Sequence, residues 1–518
     1  MNSNLQLRSW VWMFALVPVM AGAGCALGEQ PDDEGIGRVS SDLIGGQGGF
    51  WPGTPPMIPV CWENPSNGVI QGNGFTVAEP TARAWVRDVI EGQWSRYARV
   101  NFTEWDTCTS GTPGIHIRIN KTEGSSAPFG TSGNGVDNGV QLNLYFNDRP
   151  ADCQATQANL QHCAQATALH EFGHVLGFGH EETRPDYPAG GSGDCAKQPT
   201  PPGQTSYGAY DIDSVMSYCG QPIGDIAPWK VRLRPGNIAA VQRAYGRRKS
   251  GQLANVRGAD MLSSNLFSTP DAFVWDADEA EGQRWRYNFA KQTFKVSSGG
   301  LAVCLDTFPG GAGKPLRATT CMNDEFQRFP LDDLFVRGFG GLCLDVPGGA
   351  AVDGTPLQAW DCGALGGVNQ RWRIDTQGRI RFGTTSKCVT FTPTQGASLF
   401  LSECGAAPNQ NRQSPLFADN GALLLPDGAG DFLCADLEGP TDAQYLAGLG
   451  LPHNGAPVKA FQCRNEQLNQ KWNLSGAFRN VNGACIDVVS AGVANGTGVQ
   501  SFGCNGTVAQ EWDYYWRQ

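Results

Sequence analysis

The chain has 518 residues, which is too long for one hydrophobic core, so we expect three or four domains. Only 17% of the residues are charged, and the 68 glycines and 32 prolines favour compact, loop-rich β domains over long helices. The net charge of -11 is spread along the chain and disfavours nucleic acid as a partner.

Residues 1–24 have the pattern of an export signal: a positive residue, an apolar run and a stretch of small residues. The apolar run is too short for a membrane-spanning helix, and Pro18 interrupts it. Cys25 follows directly, which resembles a bacterial lipoprotein signal whose cysteine is acylated, although Gly22 stands where Leu or Val is usual. Ordinary cleavage after Ala23 is the alternative. We therefore predict an exported protein, either secreted or a bacterial cell-surface lipoprotein that reaches the membrane only through Cys25.

The cysteine count also indicates an oxidising compartment. The chain has 17 cysteines. Without Cys25, six lie between Cys61 and Cys219 and ten between Cys304 and Cys504. Both sets are even, as expected if disulfides close within separate regions.

Residues 25–50 are polar and rich in glycine, and we interpret them as a flexible tether or short pro-segment. In residues 51–246, helical spacing and strand-like alternation are mixed, which predicts an α+β domain. Residues 247–252 are expected to be a linker. The predicted helices cover 80–98, 164–176 and 237–245, and the predicted strands cover 115–119 and 140–144.

The segment H-E-F-G-H-V-L-G-F-G-H, which begins at His170, has the spacing of a zinc site. His170 and His174 are four residues apart on a helix, so their rings project from one face. Gly177 can end that helix and bring His180 round as a third ligand. Three protein ligands leave a position for water, and Glu171 stands beside it as the general base. We predict one catalytic Zn²⁺; the alternative of ordinary surface histidines leaves the clustering of three of the six histidines unexplained.

This motif, followed later by a turn that contains methionine, resembles the metzincin clan of zinc peptidases. Glu181 and Arg184 after the third histidine, and the segment Y-D-I-D-S-V-M-S-Y that ends at Tyr218, resemble the astacin family. The resemblance implies that Met216 lies under the zinc site and that Tyr218 is an additional zinc ligand with a catalytic role. It also implies that Glu181 pairs with the mature amino terminus and that an edge strand near 140–146 holds the substrate.

Beyond this domain the sequence repeats itself with a period of about 40 residues. The repeated pattern is Gln-x-Trp or a near relative, with its glutamine at positions 283, 327, 370, 410, 470 and 510. Five of the six units hold a cysteine pair, and we expect each pair to bond within its repeat: Cys304/Cys321, Cys343/Cys362, Cys388/Cys404, Cys434/Cys463 and Cys485/Cys504.

These units resemble ricin B-type lectin modules, in which three repeats make one β-trefoil. Six repeats imply two trefoils, which we place at residues 253–375 and 376–518. A sugar site needs a carboxylate, an aromatic face and an amide. The third repeat has the whole set and the fifth has most of it: Asp345, Gln358, Trp360, Asn369 and Gln370, then Asp436, Phe461, Asn469 and Gln470. The sixth repeat keeps Asp487 and Phe502 but has Ala509 in place of the asparagine. A trefoil without sugar affinity is the alternative.

The expected architecture is therefore multidomain, an α+β metzincin catalytic domain followed by two all-β β-trefoil domains. The expected function is an exported, astacin-like zinc metalloendopeptidase that hydrolyses protein or peptide substrates and is targeted to glycans or glycoproteins by its lectin modules. One alternative is a carbohydrate-binding adhesin whose peptidase domain is weak or inactive, although Glu171 argues against it. Another is a zinc hydrolase of non-peptide amides.

Overall fold

The computed structural model describes residues 49–122, 124–148, 151–188, 193–200, 206–219, 231–265, 271–298, 301–307, 313–322, 324–405, 412–426, 431–438, 453–464 and 467–516. These all lie in one compact unit, Val39–Gln518. The predicted export signal, Cys25 and nearly all of the predicted tether lie outside the described residues. In the part of the chain that is described, no helix is long and apolar enough to cross a membrane.

The N-terminal domain is built from a four-stranded parallel sheet and three helices, as an α+β domain. The strand order in the sheet is β4-β1-β5-β6, and β2 and β3 form a separate hairpin. The elements are β1 (Met57–Trp62), β2 (Val69–Gln71), β3 (Thr76–Ala78), α1 (Glu79–Ile90), β4 (Asn101–Thr107), β5 (Ile115–Asn120), β6 (Val140–Asn143), α2 (Gln157–Val175) and α3 (Pro235–Tyr245).

Helix α2 is longer than its apolar pattern predicts, because Thr156 caps it: the Thr156 hydroxyl accepts a hydrogen bond from the Asn159 amide at 3.1 Å. Its buried face carries Phe172, whose ring stacks on Trp105 with centroids 6.1 Å apart. The indole of Trp94 donates to the carbonyl oxygen of Leu169 at 3.0 Å. These contacts fix the helix that carries the first two histidines of the motif.

The edge of the sheet differs from the sequence prediction. Strand β6 is the last of the four parallel strands, but Gln141 exchanges two backbone hydrogen bonds with Ser126 in antiparallel register, at 2.8 and 3.0 Å. The outer side of β6 is therefore already occupied at this point. The segment around Ser126 is therefore outermost where it pairs with Gln141.

The rest of the chain is a series of β-hairpins, as the repeats predict. The strands of the first three repeats are β7 (Leu253–Asn255), β8 (Met261–Ser264), β9 (Ala272–Trp275), β10 (Arg286–Asn288), β11 (Thr293–Ser298), β12 (Leu301–Asp306), β13 (Lys314–Pro315), β14 (Arg317–Thr320), β15 (Leu331–Arg337), β16 (Cys343–Asp345), β17 (Gln358–Trp360) and β18 (Trp372–Ile374).

The last three repeats contain β19 (Ile380–Phe382), β20 (Lys387–Thr390), β21 (Phe400–Glu403), β22 (Leu416–Phe417), β23 (Leu423–Pro426), β24 (Phe432–Leu437), β25 (Ala456–Gln462), β26 (Asn473–Gly476), β27 (Ala484–Val488), β28 (Val499–Gly503) and β29 (Trp512–Tyr514). All five predicted disulfides within repeats are present. Three more join Cys61 to Cys108, Cys153 to Cys163 and Cys195 to Cys219.

The glutamine and tryptophan of the repeated motif face the interior. In the third repeat, the Trp372 indole donates to the Leu344 carbonyl at 2.9 Å. In the fourth repeat the structural glutamine is Gln413, not Gln410, which lies outside the described residues. The Gln413 side chain is buried and donates to the Ser402 hydroxyl at 2.8 Å. No tryptophan follows it, so the sequence pattern gave the wrong register there.

Strand pairing groups the repeats into two closed three-repeat barrels. The third, fourth and fifth repeats form barrel B, closed where β15 pairs with β26. The first, second and sixth form barrel A, closed where β7 pairs with β29 and β13 pairs with β28. Barrel B is thus inserted between two parts of barrel A. The expected division at residue 375 is wrong, because a period in sequence does not say which repeats close a barrel together.

The predicted linker at 247–252 is part of a packed contact. Arg248 is buried and donates to the Asn101 side chain at 2.7 Å and to the Ser95 carbonyl at 3.0 Å. Nearby, Arg96 of the N-terminal domain forms an ion pair with Asp513 of barrel A at 2.7 Å. The N-terminal domain is therefore held directly against barrel A.

Candidate functional site

The three histidines of the motif converge on one point. His170 and His174 lie on α2, and Gly177, at a φ of 91°, turns the chain after the helix end. The Nε2 atom of His180 is 2.9 Å from Nε2 of His174 and 3.3 Å from Nε2 of His170. The sequence prediction of this convergence agrees with the structure.

Each helical histidine is oriented by its other ring nitrogen. Nδ1 of His170 is 2.8 Å from the Val215 carbonyl oxygen, and Nδ1 of His174 is 2.7 Å from that of Phe178. A carbonyl only accepts, so Nδ1 carries the proton and Nε2 presents its lone pair inward. Burial lowers the pKa of His174 well below its usual value and that of His180 to about 4. Three neutral imidazoles that share one point are a donor set that fits Zn²⁺.

Glu171 lies next to His170 on α2 and is almost completely buried. Burial raises the pKa of Glu171 to about 8. A cation held by the neighbouring imidazoles would favour its carboxylate form. The proton affinity of the Glu171 carboxylate therefore depends on whether a cation is bound by the histidines.

Met216 packs directly beneath this helix turn. A Cβ atom on Gly173 would lie 2.2 Å from Sδ of Met216, so the methionine occupies the space that a larger residue at position 173 would need. Gly173 is a residue whose importance the sequence analysis missed, since the motif leaves that position unspecified.

Tyr218 lies at the mouth of the site, with its side chain 42% exposed. Its ring centroid is 4.2 Å from that of His180 and 5.5 Å from that of His170. Its backbone is fixed by Glu182, whose Oε1 atom accepts hydrogen bonds from the amides of Tyr218 at 2.9 Å and Cys219 at 3.2 Å. Glu182 is fully buried, and the sequence analysis did not identify it.

Glu181 is held within the domain in this structure. Its Oε2 atom is 3.4 Å from Nε of Arg184 and accepts from the Asp211 amide at 3.4 Å. Burial raises the pKa of Glu181 to about 7, and Arg184 opposes the shift. Its expected pairing with the mature amino terminus stays a prediction, because residues 1–48 lie outside the described part of the chain.

The predicted sugar-binding residues of the third repeat lie together. Asp345 accepts from Gln358 and from Asn369, each at 2.8 Å. The Trp360 ring beside them is 36% exposed. The Oδ1 atom of Asn369 is buried and has no hydrogen-bond partner among the described residues.

The fifth repeat has the same arrangement with a different aromatic ring. Asp436 accepts from Asn469 at 3.0 Å, and Phe461 is partly exposed on the strand that pairs with it. The Oδ1 atom of Asn469 is also buried without a partner in the described structure. Burial raises the pKa of Asp436 to about 6, against a hydrogen bond from Gln470 that lowers it.

Two residues of the predicted sugar sets, the glutamines of the repeated motif, are bonded inside their hairpins. Gln370 and Gln470 are completely buried. Gln370 donates to the Asp361 carbonyl at 2.9 Å and accepts from the Gly363 amide at 2.8 Å, so it holds the end of the hairpin together. Their inclusion as sugar contacts was wrong, because their amides already bond to backbone groups of the hairpin.

Comparison with known families identifies one domain class. Residues 334–447 match the family model described as "Ricin-type beta-trefoil lectin domain", which places a carbohydrate-binding type of module within barrel B. The match covers the third and fourth repeats and part of the fifth.

Curated proteins and solved structures are similar to parts of this chain. Nigrin b from Sambucus nigra is 41% identical over 71 residues, 14% of this chain and 12% of that protein. Agglutinin from Ricinus communis is 23% identical over 239 residues, 37% of this chain and 40% of that protein. The chain thus spans less than half the length of these curated relatives. Among solved structures, myroilysin is 23% identical with a TM-score of 0.27, and the match covers 38% of this chain and 96% of that one. The zinc-protease hatching enzyme HCE-1 of Oryzias latipes is 17% identical with a TM-score of 0.25, and the match covers 38% of this chain and 95% of that one.

Proposed function

We propose that this chain is an exported zinc endopeptidase of the astacin-like metzincin type, held near glycans by its barrels. The observation that carries the peptidase half is the convergence of three Nε2 atoms beside a buried glutamate. Zinc bound there would polarise a peptide carbonyl and acidify a water molecule.

The residues of the chain supply the rest of the reaction. Glu171 would take a proton from the attacking water and deliver it to the leaving amine. The Tyr218 hydroxyl would stabilise charge on the carbonyl oxygen as it develops, from the open side of the site. A substrate strand would add to residues 124–128, since this segment is outermost and leads to Phe129, whose ring centroid is 4.9 Å from that of His174.

Replacing Glu171 by Gln tests the peptidase proposal. The amide keeps the shape of the side chain but cannot accept the proton, so cleavage of a broad substrate such as casein should fall by at least about 100-fold. Glu104→Gln is the matched control, because Glu104 is exposed on β4. Persistent cleavage by the Glu171 variant would contradict the assigned base and would leave a carbohydrate-binding adhesin, which the lectin family match favours, as the better function.

The sugar sites are supported by the side chains that the third and fifth repeats bring together. In both repeats a carboxylate that accepts from an asparagine amide lies on a hairpin with a partly exposed aromatic ring, which is the set that a pyranose requires. We propose one site at Asp345, Gln358, Trp360 and Asn369, and a second at Asp436, Phe461 and Asn469.

Replacing Trp360 by Ala tests the better of these sites. Binding of the full chain to a glycan array should lose most of its signal, because the aromatic platform is removed. Trp275→Ala is a close control: Trp275 occupies the same place in the first repeat and is 40% exposed, but Ser263 stands there in place of the aspartate. Equal binding by both variants and the unmodified chain would refute the third-repeat site.

Acylation of Cys25 stays a prediction that mass spectrometry of the amino-terminal peptide would test.

A further inference from the structure

A second group of metal-ligating side chains lies in the N-terminal domain, apart from the three histidines. It consists of Glu63 directly after β1, His116 in β5 and Asp137 in the loop before β6. His116 is completely buried. Its Nδ1 atom is 2.8 Å from Oε1 of Glu63 and 3.4 Å from Oδ1 of Asp137. Strand alternation predicts a half-buried β5, so nothing in the sequence pattern pointed to His116.

The hydrogen-bond partners of His116 leave its Nδ1 atom facing two carboxylates. Nε2 of His116 is 2.9 Å from the Thr112 carbonyl oxygen, which only accepts, so Nε2 carries a hydrogen. The Thr112 hydroxyl donates elsewhere, to the Thr109 carbonyl at 2.8 Å. A neutral ring would then present the Nδ1 lone pair to two carboxylates, with three acceptors facing one another. A divalent metal ion between these atoms would satisfy all three of them.

The geometry also fits a metal ion. Glu63 Oε1 lies 2.8 Å from Nδ1 of His116 and accepts from the Asn138 amide at 3.2 Å, and Oδ1 of Asp137 faces the same Nδ1 atom at 3.4 Å. In the described structure, neither carboxylate forms an ion pair with an arginine or lysine. The distances between donor atoms, 2.8 and 3.4 Å, also match the 2.9 and 3.3 Å of the three-histidine site. The Asp137 side chain is 54% exposed, so water can complete the coordination.

We propose that Glu63, His116 and Asp137 bind a second divalent metal ion of the zinc type. One imidazole, two carboxylates and water form a set that such an ion accepts, and the two carboxylates balance its charge. The ion would join the loop at Asp137 to the ends of β1 and β5. That loop follows Phe129, which contacts His174, so the second ion would support one wall of the active site.

Zinc counting on the full chain tests this proposal. Metal-depleted protein is re-equilibrated with Zn²⁺, freed of excess ion and analysed by mass spectrometry for zinc per chain. The unmodified chain should hold about two ions, and the Glu63→Gln/Asp137→Asn double variant about one. The control Asp106→Asn, which removes an exposed carboxylate on the neighbouring β4, should still hold about two. Equal zinc content in all three proteins would overturn the proposal and leave a hydrogen bond between His116 and Glu63 as the role of this group.

A further variant separates this site from the three histidines. His174→Ala removes a ligand of the first site only, so that chain should keep about one ion, and adding Asp137→Asn should remove it. The half-exposed Asp137 side chain makes the single Asp137→Asn change safe for folding. A His174→Ala chain that binds no zinc while its thermal unfolding stays cooperative would refute the second site without affecting the first.

Discussion

Gly173 provides no ligand to the three-histidine site, but its small size makes room for Met216. It lies between the two helical histidines, and Met216 fills the space over its Cα. We predict that Gly173→Ala forces Met216 away and costs about 1–3 kcal/mol of stability through overpacking. It should also speed zinc release to a chromophoric chelator, because the Val215 carbonyl that orients His170 belongs to the same turn.

The matched control for this change is Gly503→Ala, since a Cβ atom at Gly503 meets nothing within 4 Å. Thermal unfolding and the rate of zinc release should be the same for this control as for the unmodified chain. A Gly173→Ala chain that is as stable as the control, and releases zinc as slowly, would show that Met216 can move without cost.

At the scale of single residues, the sequence predicts the proposed zinc ligands better than it predicts the residues that hold those ligands in place. His170, His174 and Glu171 could be assigned because helix spacing places them on one turn. Gly173 and Glu182 could not, because their roles depend on contacts with a turn more than thirty residues away in the chain. Gln370 was misassigned for the same reason: its identity suits a sugar, but its burial is decided by the fold.

Among the elements, the helices were predicted well and the sheet only in part, because β5 and β6 were expected and β1 and β4 were not. The period of a helix or strand is local, whereas the pairing of Gln141 with Ser126 joins segments that have no sequence pattern in common. β5 was expected to be half-buried because Ile115, Ile117 and Ile119 alternate. It lies inside a parallel sheet, and His116 on its other face is buried as well.

The β24–β25 hairpin should make sugar binding depend on pH. Burial raises the pKa of Asp436 to about 6, so its carboxylate predominates above that pH and is protonated below it. A protonated Asp436 has lost acceptor capacity for sugar hydroxyls. In the Trp360→Ala chain, which leaves the fifth-repeat site to report alone, we expect affinity for a glycan ligand to be steady above about pH 7 and to fall as the pH drops through 6.

Asp436→Asn in the same background is the control for this titration. The amide does not titrate in this range, so any residual binding should not change between pH 7 and pH 5. Affinity that stays constant over this range in the Trp360→Ala chain itself would show that the Asp436 carboxylate does not contact the sugar.

The architecture of the whole molecule depends on which three repeats close into each barrel. The repeat period does not give this information. The chain completes two repeats of barrel A, builds all of barrel B and returns to finish barrel A. Arg96 pairs with Asp513 in β29, the strand that closes barrel A. The N-terminal domain therefore contacts a part of barrel A that the sixth repeat supplies.

This order predicts which fragments fold. Residues 331–476 contain every strand of barrel B, including the closing pair β15–β26, and should unfold cooperatively when expressed alone. Residues 253–375 should not, because β7 lacks its partner β29, and residues 376–518 lack β15. A permuted chain that places 473–516 before 251–330 restores barrel A and should regain a cooperative transition. Thermal unfolding of the three fragments and the permuted chain is followed by circular dichroism. If 253–375 unfolds cooperatively and 331–476 does not, the repeats close in their order along the chain.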